Sequence, residues 1–147
     1  MTVARWYYLF DRHHRWHILA DSLAYCREHK GLKLYGFVFI LNHIHVIVQS
    51  PDVSGFVRDF KRFTSGEFRK NLIKNEPTVL KLFLDQKGNY EFWQKTNMPK
   101  CIGLESFFQN KLTYMHNNPV RKNYVMKPED WYWSSANELC ELKVDEL

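Results

Sequence analysis

Residues 43–45 read His-Ile-His. On a β-strand, side chains two apart leave the same face. His43 and His45 would then stand side by side, with Ile44, Val46 and Val48 turned to the opposite, apolar face. Two neutral imidazoles on a rigid strand can give their lone pairs to one divalent cation. The plainer reading is two surface histidines on a half-exposed strand, because an HxH alone is a weak motif. A second chemical group is Tyr114, in KLTYMHNNPV. On a helix, Tyr114 and Asn118 are four apart and share a face, with Lys111 three before the tyrosine. The apolar stripe of Leu104, Leu112 and Met115 lies elsewhere. Tyr114 is therefore not needed for packing and is free to face solvent or a site. The plainer alternative is a half-buried tyrosine with its hydroxyl wet.

These groups need elements to position them. Trp16, Leu19, Leu23 and Cys26 fall at helical spacing within residues 12–30, and Gly31 follows as a natural end. LKLYGFVFI, residues 32–40, is apolar on both alternating sets, as a strand covered on both faces would be. After the short break at Leu41-Asn42, HIHVIVQ (43–49) makes a second strand, so an antiparallel hairpin is expected. Beyond Pro51, Phe56, Phe60, Phe63, Phe68 and Leu72 mark a long helix, capped by Asp52 or Ser54. Phe56, Phe60 and Phe63 are expected in the core. A short helix is expected within 75–90, a strand at 90–94 and irregular chain at 95–102. Leu104, Phe108, Leu112 and Met115 set out a third helix, which Pro119 ends soon after Asn118. WYWSSANEL reads as loop and short helix packed on the body. The order implies an α+β domain with an antiparallel sheet.

The 147 residues suit a single domain. Hydrophobic residues at 45% and charged residues at 25% exclude a disordered or collagenous chain. No apolar run approaches the ~20 residues that cross a bilayer. MTVARWYYLFDRHHRW has no apolar core of a signal peptide. Cys26, Cys101 and Cys140 are odd in number and widely spaced, which suits free thiols in a reducing, cytoplasmic setting. Residues 138–147 hold four acids and one lysine, so of the net +5 the preceding 137 residues carry +8. The expected organisation is a single domain over 1–137 and a short acidic tail over 138–147. Aromatics reach 16%. A basic, aromatic-rich globule suits a nucleic-acid partner, because cations neutralise phosphates and π-faces stack on unpaired bases. A solvated basic surface over an aromatic core is the plain alternative.

Three ordered blocks resemble a known family. FVFILNHIHVIV is similar to the "YVxMPNHxHLLV" block of the single-tyrosine HUH transposases. FWQK matches the "xWQ" block. YMHNNPVRKNYV with PEDWYWSSA is similar to "YIxxNPVRAGLV…P.DYxWSS". The branch is that of the REP-associated tyrosine transposases and their insertion-sequence relatives, and the likeness runs from about residue 10 to 136. It implies a ferredoxin-like or RRM-like antiparallel sheet with helices packed on it. It also implies a divalent cation, Mg²⁺ or Mn²⁺, on His43 and His45 with Asn118 completing the set. Tyr114 would attack a single-stranded DNA phosphodiester, leaving a 5′-phosphotyrosine link and a free 3′-OH. A phenol with a reference pKa near 10 needs activation, and Lys111 is placed by helical spacing to help. The DNA would carry a hairpin with single-stranded flanks. Its phosphates would meet the basic face of the long helix: Arg58, Lys61, Arg62, Arg69 and Lys70.

The chain also departs from the family pattern. The "YHVTxR" strand before the first helix is reduced to MTVARWYYLF, so that strand is shortened or missing. Leu41 replaces the proline before "NH", TNMPKCIGLESFF replaces the "R.YYDHxL" stretch, and Arg121-Lys122-Asn123 replaces "RAG". The residues assigned to chemistry are intact. Membranes are not expected as partners, and the choice between monomer and homodimer stays open. The rival reading is a diverged, catalytically weak, single-stranded nucleic-acid-binding module of the same fold. Direct histidine phosphohydrolysis fits poorly, since Ile47 stands where a third histidine is needed.

Overall fold

The protein is described from a computed structural model covering residues 1–97 and 99–147. Part of the irregular stretch expected at 95–102, Met98, lies outside the described residues. Strand β1 (Lys33–Phe39) and strand β2 (Ile44–Gln49) form the expected antiparallel hairpin, with Val38 opposite His45 and Phe39 opposite Ile44. The turn is closed by Ile40 N–H donating to the His43 carbonyl at 2.8 Å. A register shift between Leu34 and Gly36 leaves Tyr35 as an extra residue. That bulge exchanges the faces, so Leu34, Phe37 and Phe39 all enter one core.

The sheet continues beyond the hairpin through single bridges. Residues Met1–Val3 lie beside the start of β2: Ile44 N–H donates to the Met1 carbonyl at 2.9 Å, and Val3 N–H to the Asn42 carbonyl at 2.8 Å. On their other edge, Val3 pairs with Trp93, supported by Ala4 N–H to the Phe92 carbonyl and Gln94 N–H to the Thr2 carbonyl, both at 2.8 Å. The lateral order is thus 92–94, 1–3, β2, β1, which is the order of a ferredoxin-like sheet. The first strand is present and short. It is not ARWYYLF: Ala4–Trp6 form a 3-10 turn, and Leu9 and Phe10 are buried in the core. Past β1, residues 133–135 add an outer edge through Phe39 N–H to the Trp133 carbonyl and Ser135 N–H to the Phe37 carbonyl.

Helix α1 (Arg15–His29) and helix α2 (Val53–Asn75) pack against each other over one face of this sheet. Asp52 is the α2 cap, its carboxylate accepting from Gly55 N–H at 2.9 Å. The buried row of α2 is Phe56, Phe60, Thr64, Phe68 and Leu72. Phe63, expected in the core, is 56% exposed. A strict four-residue row runs along the contact, and Phe63 sits off it. Thr64 takes the place and is satisfied there: its hydroxyl donates to the Phe60 carbonyl at 2.7 Å and accepts from the Trp93 indole at 2.9 Å. At the far end of α2, the fully buried Arg15 donates to Glu76 at 2.7 Å, Asn71 at 3.0 Å and the Leu9 carbonyl at 3.2 Å. Helix α3 (Pro77–Leu80) and a 3-10 turn at Lys81–Phe83 make up the short helical excursion.

Helix α4 (Glu105–His116) covers the opposite face, where Met115 joins Val38 and Ile40, with Leu112 and Ile47 packed against them. Gly36 permits this approach: a Cβ there would stand 2.6 Å from Leu112 Cδ1 and 2.9 Å from Met115 Cε. Leu104, expected on the apolar stripe, instead precedes the first turn and is exposed. Residues 138–147 are not a free tail. Cys140 and Leu142 enter the main core. Asp145 binds Arg27 at 2.9 Å and exchanges two hydrogen bonds with the Leu34 backbone, at 2.7 and 2.8 Å. The acids are thus partly spent on the protein's own cations and amides. Cys26, Cys101 and Cys140 are all free thiols. Among the described residues, no helix is long and apolar enough to cross a membrane.

Candidate active site

His43 and His45 emerge from the hairpin on the α4 side, while Ile44 is buried on the other. Their rings lie 5.0 Å apart at 89°. The Asn42 side-chain oxygen lies 2.9 Å from His43 Nδ1. With Nδ1 as donor, the neutral ring keeps its Nε2 lone pair free. The Asn118 amide nitrogen lies 3.2 Å from His45 Nε2. Burial holds the His43 imidazolium pKa down to about 4, helped by His45 and Lys122. His45 is likewise lowered to about 4 by desolvation and by nearby positive charge, including Arg121 and Lys122. More of His45 than of His43 is open to solvent. Desolvation leads at both rings, and nearby positive charge adds to it. Both rings are neutral at pH 7, the form that can act as a ligand.

Asn118 reaches His45 because the helix is interrupted. Pro119 has no N–H for the Met115 carbonyl and disfavours helical backbone just before it. Helix α4 therefore stops at His116, and a separate turn, α5 (Asn118–Arg121), begins. Tyr114 and Asn118 thus belong to two consecutive helices, not to one continuous face. The open Tyr114 carbonyl is capped by the Arg121 side chain at 2.9 Å. The Arg121 guanidinium also lies over the Tyr114 ring, 3.9 Å from its centroid. Tyr114 is 62% exposed, as expected of a residue outside the packing stripe.

The donor set suits a divalent cation. Asn118 is buried, and among the described residues its side-chain oxygen has no hydrogen-bond partner. A half-turn of the amide exchanges oxygen and nitrogen, and brings the oxygen lone pairs beside the lone pair of His45. Two imidazole nitrogens and an amide oxygen are donors that could hold such a cation. Among the described residues, no cluster of three or more His, Cys, Asp or Glu offers another cation site.

The structure brings Asn118 to His45, whose ring lies beside that of His43, and sets Arg121 over Tyr114. Lys111 is placed otherwise: its ammonium lies 5.2 Å from the Phe107 ring centroid. Arg121 and Asn42 were not singled out in the sequence. Arg121 lies seven residues after Tyr114, two helical turns on, and that spacing was the available signal. Asn42 stood in the loop next to His43.

The basic residues of α2 are mostly on the surface. Arg58 and Arg62 share Asp59 at 3.1 and 3.5 Å, and Lys70 meets Glu67 at 3.3 Å. Such exposed pairs contribute little and can give way to phosphate. Arg69 lies over Tyr90, 4.7 Å from the ring centroid. Lys61 is partly buried, which lowers its pKa, and donates to the Gln94 carbonyl at 2.8 Å. A shallow groove of about 300 Å³ between α2 and residues 90–95 is lined by Lys61, Arg62, Ser65 and Tyr90.

No protein-family model matches the chain. It is 24% identical over 111 residues to the Haemophilus influenzae protein named "Putative REP-associated tyrosine transposase", a match that takes in 74% of this chain. The match spans 61% of that relative's length. Its fold matches a solved REP-associated tyrosine transposase bound to a REP hairpin, with a TM-score of 0.70. That alignment covers 99% of this chain and 82% of the other at 17% identity. In sequence and in fold, this chain is similar to REP-associated tyrosine transposases.

Proposed function

We propose that the chain cleaves and rejoins single-stranded DNA at hairpin-flanked sites, with Tyr114 as nucleophile and His43, His45 and Asn118 as ligands of a divalent cation. The observation that carries this reading is the meeting of Asn118 with His45 at 3.2 Å across 73 residues of chain. The helix that ends at this junction is the one carrying Tyr114. The fold relative is bound to a REP hairpin, which supports DNA as the partner.

In the proposed reaction, the Tyr114 oxygen attacks phosphorus and loses its proton. The P–O3′ bond breaks, the departing oxygen takes a proton as a 3′-OH, and the phosphate stays on the tyrosine as a 5′-phosphodiester. Because the bond energy is conserved, a second 3′-OH can later attack and restore Tyr114. A divalent cation bound at the site would polarise the scissile phosphate and stabilise its developing charge. Arg121 holds the Tyr114 ring and, with Lys122, places positive charge where the phosphate arrives. Asn42 orients His43, and Asn118 is buried where it can turn its oxygen to the cation.

The test is incubation with single-stranded hairpins bearing unpaired flanks and Mn²⁺, followed by a denaturing protein gel. A DNA–protein adduct is expected for the wild type and none for Tyr114→Phe. Binding without any adduct, across several hairpins and metals, would instead leave a non-cleaving binding module. Mn²⁺ binding by calorimetry should be lost in His43→Ala and His45→Ala; retention would remove the proposed ligand set.

A further inference from the structure

Two consecutive non-glycine residues, Arg5 and Trp6, hold left-handed backbone, with φ of 55° and 56°. L side chains adopt this conformation rarely, and it persists only where the surroundings impose it. Here they do. The Arg5 guanidinium donates to the Leu82 and Leu84 carbonyls at 3.1 and 3.2 Å. The Asn42 amide donates to the Trp6 carbonyl at 3.1 Å. The Trp6 residue gains little burial from this arrangement: it is 68% exposed. A large indole is thus left mostly exposed on constrained backbone.

Its address is specific. The Asn42 side chain that donates to Trp6 also accepts from His43 Nδ1, at 2.9 Å. The Trp6 backbone carbonyl is therefore two hydrogen bonds from a proposed cation ligand, His43, which itself feels the positive charge of Lys122. Every nucleobase has a π-face, and unpaired bases stack on exposed aromatic rings.

We infer that Trp6 is a stacking platform for an unpaired DNA base next to the phosphate held at the His43–His45 site. This rests on the reading of that site as one for single-stranded DNA. Arg5 and Asn42 are positioning residues for the platform, and Asn42 couples it to His43.

The test compares two fluorescent probes of equal charge by anisotropy in EDTA: an oligothymidylate of about twelve nucleotides and an abasic strand of the same length. The wild type should prefer the oligothymidylate by about tenfold. Trp6→Ala should remove that preference and leave the abasic affinity unchanged, while Trp6→Phe keeps most of it. Trp6→Gly should also lose the preference yet raise the melting temperature, because glycine adopts this backbone freely. Equal loss on both probes would reveal a merely structural role and overturn the platform, as would no loss on either. An adduct in the gel assay without base preference would overturn the platform alone. Binding of neither probe would overturn the platform and its single-stranded-DNA premise, and the gel assay would separately decide the cleavage chemistry.

Discussion

On one face of the β1–β2 sheet, Phe37 and Phe39 belong to a cluster that includes Phe60, Phe68, Trp93 and Trp133. On the other, the buried cluster is Val38, Ile40 and Met115 under a single helix of 12 residues. The first face is thick with rings and closed. The second is thin, and its margin is where His43, His45 and Asn118 meet with part of their surface open. Apolar area buried from water stabilises the fold in rough proportion to its extent. Most of the stability should therefore lie on the thick face, and the thin one is free to hold polar groups within reach of a ligand.

The sharpest way to break that division is a large-to-small change on the thick face. Phe68→Ala should cost about 3–5 kcal/mol, read from urea unfolding. A cost near that of a surface substitution would refute the division. On the thin face, pH should matter more. Both imidazoles have folded pKa values of about 4 against 6.5 unfolded, so the unfolded state takes up their protons first. Their contribution to stability is full above pH 6.5 and is lost as pH falls through 4. Melting temperatures from pH 8 to 4 should fall less steeply in a His43→Gln/His45→Gln variant; parallel curves would contradict the lowered values. Gly36→Ala tests how closely α4 is seated. The added methyl meets the ends of Leu112 and Met115, which can shift, so about 1 kcal/mol of destabilisation is expected. Smallest is Phe63→Ala, which should stay within about 0.5 kcal/mol, as for any surface site. A loss like that at Phe68 would return Phe63 to the core.

The paired histidines were legible because a strand alternates with a period of two, whatever surrounds it. The long helix was legible by the same kind of rule at its own period. Phe63 was misplaced because several near-parallel rows on one helix are apolar, and only the partner surface selects one. The first strand was hard to see for another reason. Thr2 and Val3 make a bridge on each side, too short to leave a pattern. Tyr114 and Asn118 were singled out as one helical face, whereas they lie on two consecutive helices. The break at Pro119 sends Asn118 to His45 and leaves Arg121 to cap and cover the tyrosine.

From the sequence alone came the chemical groups, their local spacing and the basic, aromatic-rich character of the chain. These follow from composition and from backbone periodicities, which need only neighbouring residues. Tertiary structure alone decided that Asn118 would be buried beside His45, that both imidazoles would stay neutral, and that the Trp6 carbonyl would meet the Asn42 side chain that also meets His43. Each depends on desolvation or on hydrogen bonds between distant segments, and neither is encoded in the spacing of adjacent residues.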